Sequence, residues 1–179
     1  LKINGIDYNF NSKLIGKYNI YNLVATISLL SEIKIVINNI INIVSELTTP
    51  PGRMDIIEYN NNLIIIDYAH TPDAMENVYN TVNEIKQGDI YTVFGCTGSR
   101  DRTKRPIMMR DACNNSKYAI ITSDDLHDEE FSSILTDMLV DNNNSNFEVI
   151  PDRGLAIKRG ISLLKEKDIL LILGKGHEE

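Results

Sequence analysis

The sequence predicts an α/β fold built on a doubly wound, mostly parallel sheet. Three observations carry that prediction. Short apolar runs recur from residue 63 onward, amphipathic stretches of helical spacing separate them, and polar, glycine-bearing segments follow several of the runs. Strands that alternate with helices require crossover connections, and these cover both faces of a parallel sheet with helices.

Residues 2–10 alternate polar and apolar side chains and read as an edge strand or hairpin. Residues 16–30 and 35–47 have helical spacing. Thr48-Thr49-Pro50-Pro51-Gly52-Arg53 then places two prolines and a glycine together, which marks a hinge. A domain boundary is expected there, with residues 1–49 forming the tail of one domain and residues 50–179 the next, itself expected to stop short of its end. Some fifty residues are too few for an independent core, so the first part is expected to belong to a larger neighbour upstream. The start, Leu1-Lys2-Ile3, has neither an initiator Met nor a signal-peptide layout, as expected of a chain cut from something longer.

Beyond the hinge the unit repeats. A strand over 63–67 precedes a helix from Pro72 to Lys86, proline suiting a first helical turn. Strands over 90–94, 118–122 and 147–150 precede helices over 104–115, 129–140 and 152–165, and a last strand spans 169–173. Asn-rich patches at 60–62 and 142–146 read as loop tips.

Composition narrows the function. With 18 Lys and Arg against 25 Asp and Glu, the net charge of −7 argues against a sequence-blind nucleic-acid partner, which would need clustered bases to neutralise phosphates. The most apolar runs are too short or too interrupted to span a membrane, so no membrane partner is expected. Cys96 and Cys113 form no disulfide framework and are compatible with a reducing cytosol without fixing a compartment; the location expected is cytoplasmic.

The chemistry gathers after the strands. Asp67-Tyr68-Ala69-His70-Thr71-Pro72-Asp73, Gly95-Cys96-Thr97-Gly98-Ser99-Arg100-Asp101, Ser123-Asp124-Asp125-Leu126-His127-Asp128 and Gly174-Lys175-Gly176-His177-Glu178 each follow an apolar run. Ligands of open α/β sheets bind outside the carboxyl ends of the strands, so the four segments are expected to face one site. The glycines either turn tight corners or let backbone amides approach an anion. Arg100, Arg102, Lys104 and Arg105 favour the anion, because cations at a helix start oppose its dipole and call for compensation. Asp67, ending a buried strand, meets either a ribose hydroxyl pair or a local cap. His70, His127 and His177 match no ligand spacing, and no protein-built metal site is expected. Cys96 reads as a small packed thiol. No G-x-x-x-x-G-K-[ST] loop occurs, so any ATP phosphate cradle lies elsewhere.

As a set, these motifs resemble the Mur ligase family, and within it the branch that adds a diamino acid to UDP-N-acetylmuramoyl-L-alanyl-D-glutamate. The resemblance runs from Gly16-Lys17-Tyr18-Asn19-Ile20-Tyr21-Asn22 through Pro51-Gly52-Arg53-Met54, DYAHTPD at 67–73, FGCTGSRDRTKRP at 94–106, and Asp152-Arg153 to GKGHE at 174–178. It implies the tail of the central ATPase domain, residues 1–49, and most of the third domain of a three-domain ATP-dependent amide-bond ligase of peptidoglycan precursor synthesis, working through an acyl phosphate. ATP and Mg2+ are implied cofactors, held mostly by an upstream domain, and no catalytic residue is assigned within this chain, which alone is expected to be inactive. Implied partners are the UDP-muramoyl dipeptide and meso-diaminopimelate or lysine. The resemblance assigns Arg100, Asp124, Asp125, Leu126, His127, Gly174 and Glu178 to the amino acid, and Arg53, Asp67 and His70 to the nucleotide side. Two departures stand out: His127 replaces the arginine of a D-N-P-R motif, removing a planar fork for a distal carboxylate, and Ser99 replaces a common acid. The alternatives are a non-catalytic nucleotide-binding or regulatory module, which the absent P-loop permits, and a related ligase for another polymer.

Overall fold

The structure, a computed structural model, describes residues 1–3 and 5–176. The chain divides into two compact units, Leu1–Pro50 and Pro51–Glu179.

In the first unit, β1 (Lys2–Ile3) and β2 (Ile6–Asp7) form a short antiparallel hairpin. Two helices follow, α1 (Lys17–Glu32) and α2 (Ile37–Val44). Leu23 and Ile27 of α1 meet Ile40 and Val44 of α2, with Ile3, Phe10 and Leu14 packed against them. This core is small. Ile20, Tyr21, Leu29, Ile33, Val36 and Ile43 stay exposed.

The second unit holds a six-stranded sheet. Its strands are β3 (Asp55–Tyr59), β4 (Asn62–Asp67), β5 (Ile90–Phe94), β6 (Tyr118–Ile121), β7 (Phe147–Val149) and β8 (Ile169–Leu173), in the order β3-β4-β8-β5-β6-β7. All neighbours are parallel except β3 and β4, which form a hairpin. Asn60 and Asn61 turn that hairpin with φ of 48° and 62°, the left-handed pair that a two-residue turn between twisted strands demands. β3 itself was not expected from the sequence. It is an edge strand on which Ile56 and Ile57, pointing to opposite faces, are both exposed, so no alternation marks it.

The helices are α3 (Pro72–Ile85), α4 (Lys104–Asn115), α5 (Phe131–Met138) and α6 (Arg153–Leu163). Thr71 caps α3 through Oγ1, which accepts from the Ala74 amide at 3.3 Å, and Asp152 caps α6, accepting from the Leu155 amide at 2.8 Å. α5 is shorter than its helical pattern suggests because Glu129 is committed to the loop before it.

From β4 the chain steps outward through β5, β6 and β7, then returns to insert β8 between β4 and β5. With right-handed crossovers, the outward steps put α3, α4 and α5 on one face and the return puts α6 on the other. The packing agrees. On the α6 face, Ile64, Tyr91, Val93, Ile120, Leu170 and Ile172 gather around Ala156. On the opposite face the Tyr79 hydroxyl of α3 lies 3.0 Å from Thr92 Oγ1, which lies 2.7 Å from Ser116 Oγ after α4.

This arrangement makes the inner strands the source of stability and leaves the exposed side chains of the edge strand β3 with little part in it. Leu170→Ala, at a fully buried position on β8, should cost about 2–5 kcal/mol. Ile57→Ala, on the exposed edge strand, should change stability by no more than about 0.5 kcal/mol. Urea midpoints of the two variants, read against the parent, check both expectations.

Candidate functional site

The carboxyl ends of β4, β5, β6 and β8 surround a cavity of about 360 Å³ lined by Tyr68, His70, Thr97, Arg100, Lys104, Asp124, Asp125, His127 and Gly174. A larger hollow of about 530 Å³ lies near the β3–β4 turn, between Tyr59, Asn61, Gln87 and Lys167. That hollow opens at the amino-terminal end of β4 and β8, away from the strand-end motifs, whereas open α/β sheets bind ligands at the carboxyl ends.

Asp67 ends β4 with its side chain buried. Its Oδ1 accepts from the Ala69 amide and its Oδ2 from the Met54 amide, each at 2.8 Å, while its carbonyl accepts from the Gly174 amide at 3.1 Å. Burial pushes the carboxyl up from its ordinary range, and the two amides hold it partly back. Both oxygens therefore serve a local cap that ties the start of β3 and the end of β8 to β4. The next residues face the cavity. His70 Nδ1 lies 2.8 Å from the Tyr68 carbonyl, which can only accept, so Nδ1 carries the hydrogen of this contact. The Arg53 guanidinium sits 4.5 Å from the centre of the Tyr68 ring, and that ring meets His70 edge-on at 4.8 Å.

The loop after β5 corrects the expectation of a bound anion for Arg102 and Arg105. The glycines let the β5 and β6 loops touch: a Cβ on Gly98 would lie 1.9 Å from the Leu126 carbonyl oxygen, and one on Gly95 would lie 2.4 Å from that of Thr122. The Gly98 amide is already taken, donating to the Asp125 carbonyl at 2.7 Å. Two of the four bases are likewise taken. Arg105 is completely buried and pairs with Glu129 and, at 2.7 Å, with Asp137, and it donates to the Thr97 carbonyl at 3.2 Å. Arg102 reaches Glu129 at 2.6 Å and Asp137 at 3.2 Å. The hydrogen bond from Arg105, aided by one from the Ser99 amide, holds the Glu129 carboxyl at about 2. The anion that compensates these cations is the protein's own. Lys104 and Arg100 remain at the cavity, Lys104 donating to the His70 carbonyl at 2.9 Å.

The β6 loop supplies the opposite charge. Asp124 is half-buried, and loss of solvent pushes its carboxyl up, opposed by the Asp125 amide, which it accepts at 2.8 Å, and by Arg153 and Lys175. Lys175, after β8, pairs with Asp125 across the gap between the two loops. Arg153, at the start of α6, donates to the Leu173 carbonyl at 2.7 Å and the Ser123 carbonyl at 3.4 Å, stitching the same loops from behind. Gly174 has φ of 105°, and a Cβ there would lie 2.6 Å from Asp124 Oδ2. Any side chain at this position would displace the carboxylate.

The structure thus brings together Arg100, Asp124, Asp125, His127, Gly174 and His70. It leaves three expected site residues off the lining: Leu126, whose carbonyl accepts from the Glu129 amide at 3.0 Å, Asp67, which caps locally, and Arg53, which stacks behind Tyr68. Glu178 and His177 lie outside the described residues. Glu129 carried no site expectation, because nothing local distinguishes a loop acid that answers a buried arginine from a solvated one.

The family model described as "Mur ligase, glutamate ligase domain" matches residues 52–176. The UDP-N-acetylmuramoyl-L-alanyl-D-glutamate--2,6-diaminopimelate ligase of Bacillus cereus is 43% identical over 173 residues, covering 95% of this chain and 35% of that protein. The same-named ligase of Clostridium botulinum is 41% identical over 167 residues, covering 92% and 35%. A solved structure of a UDP-N-acetylmuramoyl-L-alanyl-D-glutamate--2,6-diaminopimelate ligase superimposes with a TM-score of 0.70 at 35% identity, covering 96% of this chain and 36% of the other. The chain spans about a third of the length of the relatives it matches.

Asp124 yields a test of sign. Its carboxyl is raised above the ordinary 3.8 in the fold, so its ionisation costs stability as pH rises through the folded-state value, and the cost is absent below the unfolded one. Asp124→Asn, whose Oδ1 can still accept the Asp125 amide, should melt above the parent at pH 7. The gap should close as pH falls below 3.8. Thermal melts of parent and variant at both ends of that range measure it.

Proposed function

Because the chain belongs to the Mur ligase family, we propose that it forms the amino-acid-accepting domain of an ATP-dependent amide-bond ligase that extends UDP-N-acetylmuramoyl-L-alanyl-D-glutamate by a diamino acid in peptidoglycan precursor synthesis. One observation carries the reading: a single cavity presents Arg100 and Lys104 together with Asp124 and Asp125. A zwitterion with a second ammonium matches that pairing of charges, and neither a nucleic acid nor a simple anion does.

In this reading the Arg100 guanidinium takes the α-carboxylate through its paired N–H donors. Asp124, kept in place by the Asp125 amide and by the absence of a side chain at Gly174, accepts the distal ammonium. That leaves the α-amine free to attack. His127, exposed and at φ of 48°, stands at the rim where the distal carboxylate of diaminopimelate would fall. It offers one or two hydrogen bonds in place of a permanent fork. Diaminopimelate is the proposed substrate, as for the relatives named above, with lysine as its competitor. Glu178 is a further proposed contact to the amino acid.

ATP and Mg2+ belong to the proposal, as does a cytoplasmic location; among the described residues no helix is long and apolar enough to cross a membrane. ATP would supply the phosphoryl group that activates the D-glutamate carboxylate. Among the described residues no three His, Cys, Asp or Glu side chains converge as ligands, and the sequence holds no P-loop. Arg53, over the Tyr68 ring, and His70 are the proposed contacts toward the nucleotide. Upstream domains of the same protein are the proposed source of the phosphate cradle.

The full-length protein, given ATP and the muramoyl dipeptide, should consume diaminopimelate or lysine and reject monoamino acids. Arg100→Ala should lower kcat/KM for the amino acid by about thirtyfold, or about 2 kcal/mol, the low end for a charge pair because Arg100 is exposed. The KM for ATP should hold. Coupled phosphate release across an amino-acid panel reads both, and preference for a monoamino acid would overturn the role of Asp124.

A further inference from the structure

Two walls of the cavity come from different loops, and one acid outside the cavity joins them. Glu129 Oε2 accepts from the Ser99 amide at 2.8 Å, and the same carboxylate pairs with the buried Arg105. Ser99 has φ of 52°, a left-handed conformation that a serine holds only against a cost, and it directly precedes Arg100. Arg105 in turn donates to the carbonyl of Thr97, so both sides of the Gly98 turn are fixed from beneath. On the other wall, the Glu129 backbone amide donates to the Leu126 carbonyl at 3.0 Å, closing the turn that carries His127, also left-handed at 48°. Side chain and main chain of one residue therefore determine where Arg100 and His127 stand.

We propose that Glu129 is a positioning residue for amino-acid selection, setting the Arg100 wall through the Ser99 amide and the His127 wall through its own main chain. It touches no substrate. This rests on reading the cavity as the amino-acid site. Without the carboxylate, Ser99 has no acceptor to hold its strained conformation, and the Arg100 head relaxes toward solvent while the nucleotide contacts at Arg53 and His70, on a different loop, stay put. The signature is a split: the amino-acid KM rises and the ATP KM does not.

The experiment compares Arg100→Ala, Glu129→Gln and the double variant Arg105→Met with Glu129→Leu, each in the full-length protein, by steady-state kinetics well below the melting temperature. Apolar replacement of both charges of a buried pair preserves stability better than breaking it, so the double variant removes the Ser99 acceptor without stranding Arg105. Expected is an amino-acid KM raised about ten- to hundredfold in the double variant, the range for a contact displaced by an ångström or so, with ATP KM within about twofold, while Glu129→Gln, whose side-chain oxygen can still accept the Ser99 amide, stays near the parent. If Glu129→Gln does not fold, the double variant decides alone. A raised KM in Arg100→Ala with parental values in the double variant overturns the positioning role and leaves the cavity reading intact. Amino-acid and ATP KM rising together mark a merely structural role and overturn it as well. No effect from Arg100→Ala overturns the cavity reading, and the proposal with it.

Discussion

The return of β8 to a place between β4 and β5 is the constraint on which the candidate site depends. Had the chain continued outward, the loop with Gly174 would lie at the far edge of the sheet, several strands from Asp67 and Arg100. Inserted where it is, β8 delivers Gly174 against Asp124 and lets its amide bond the Asp67 carbonyl. The same reversal moves α6 to the opposite face, where the capping residue Asp152 aims Arg153 back at the β6 and β8 loops. Its energetic basis is the central strand itself, from Ile169 to Leu173, buried along its whole length and paired on both sides. The amino-terminal end of that strand is anchored as well, by Asp168, whose oxygens accept the Asp89 and Lys165 amides.

Beneath the cavity sits a second constraint of a different kind. A fully buried guanidinium is expensive to desolvate, and only close pairing offsets the cost. Arg105 meets it with two carboxylates and a carbonyl. Those partners come from the β5 loop, the turn before α5 and α5 itself, so satisfying one buried charge fixes the relative placement of three segments. Charge satisfaction and site geometry are the same interaction here, and rearranging the loops would strand a charge away from water.

Much of this was legible in the sequence. Apolar runs ending in polar segments located β4, β5, β6 and β8, and the sheet rule sent their loops to one end. Arg100, Asp124, Asp125, His127 and His70 follow from that placement. The misreadings share a physical cause. Arg102 and Arg105 looked like an anion site because their partners, Glu129 and Asp137, lie on another loop and helix, and long-range pairing leaves no local pattern. Asp67 left two readings open because a carboxylate that caps neighbouring amides and one that awaits a ligand are the same residue at the same strand end. β3 escaped because a hairpin edge with both faces partly exposed has no alternation to detect.

In the proposed reading the carboxyl-end cavity receives a zwitterionic amino acid with its carboxylate at Arg100 and its second ammonium at Asp124. A crystal structure of the full-length protein with bound diaminopimelate tests this most directly. The account predicts the α-carboxylate within about 2.7–3.2 Å of the Arg100 guanidinium and the distal ammonium at comparable distance from Asp124. Density for the amino acid in the hollow beside Asn61 and Lys167, or in the cavity with Arg100 turned to solvent, would contradict it.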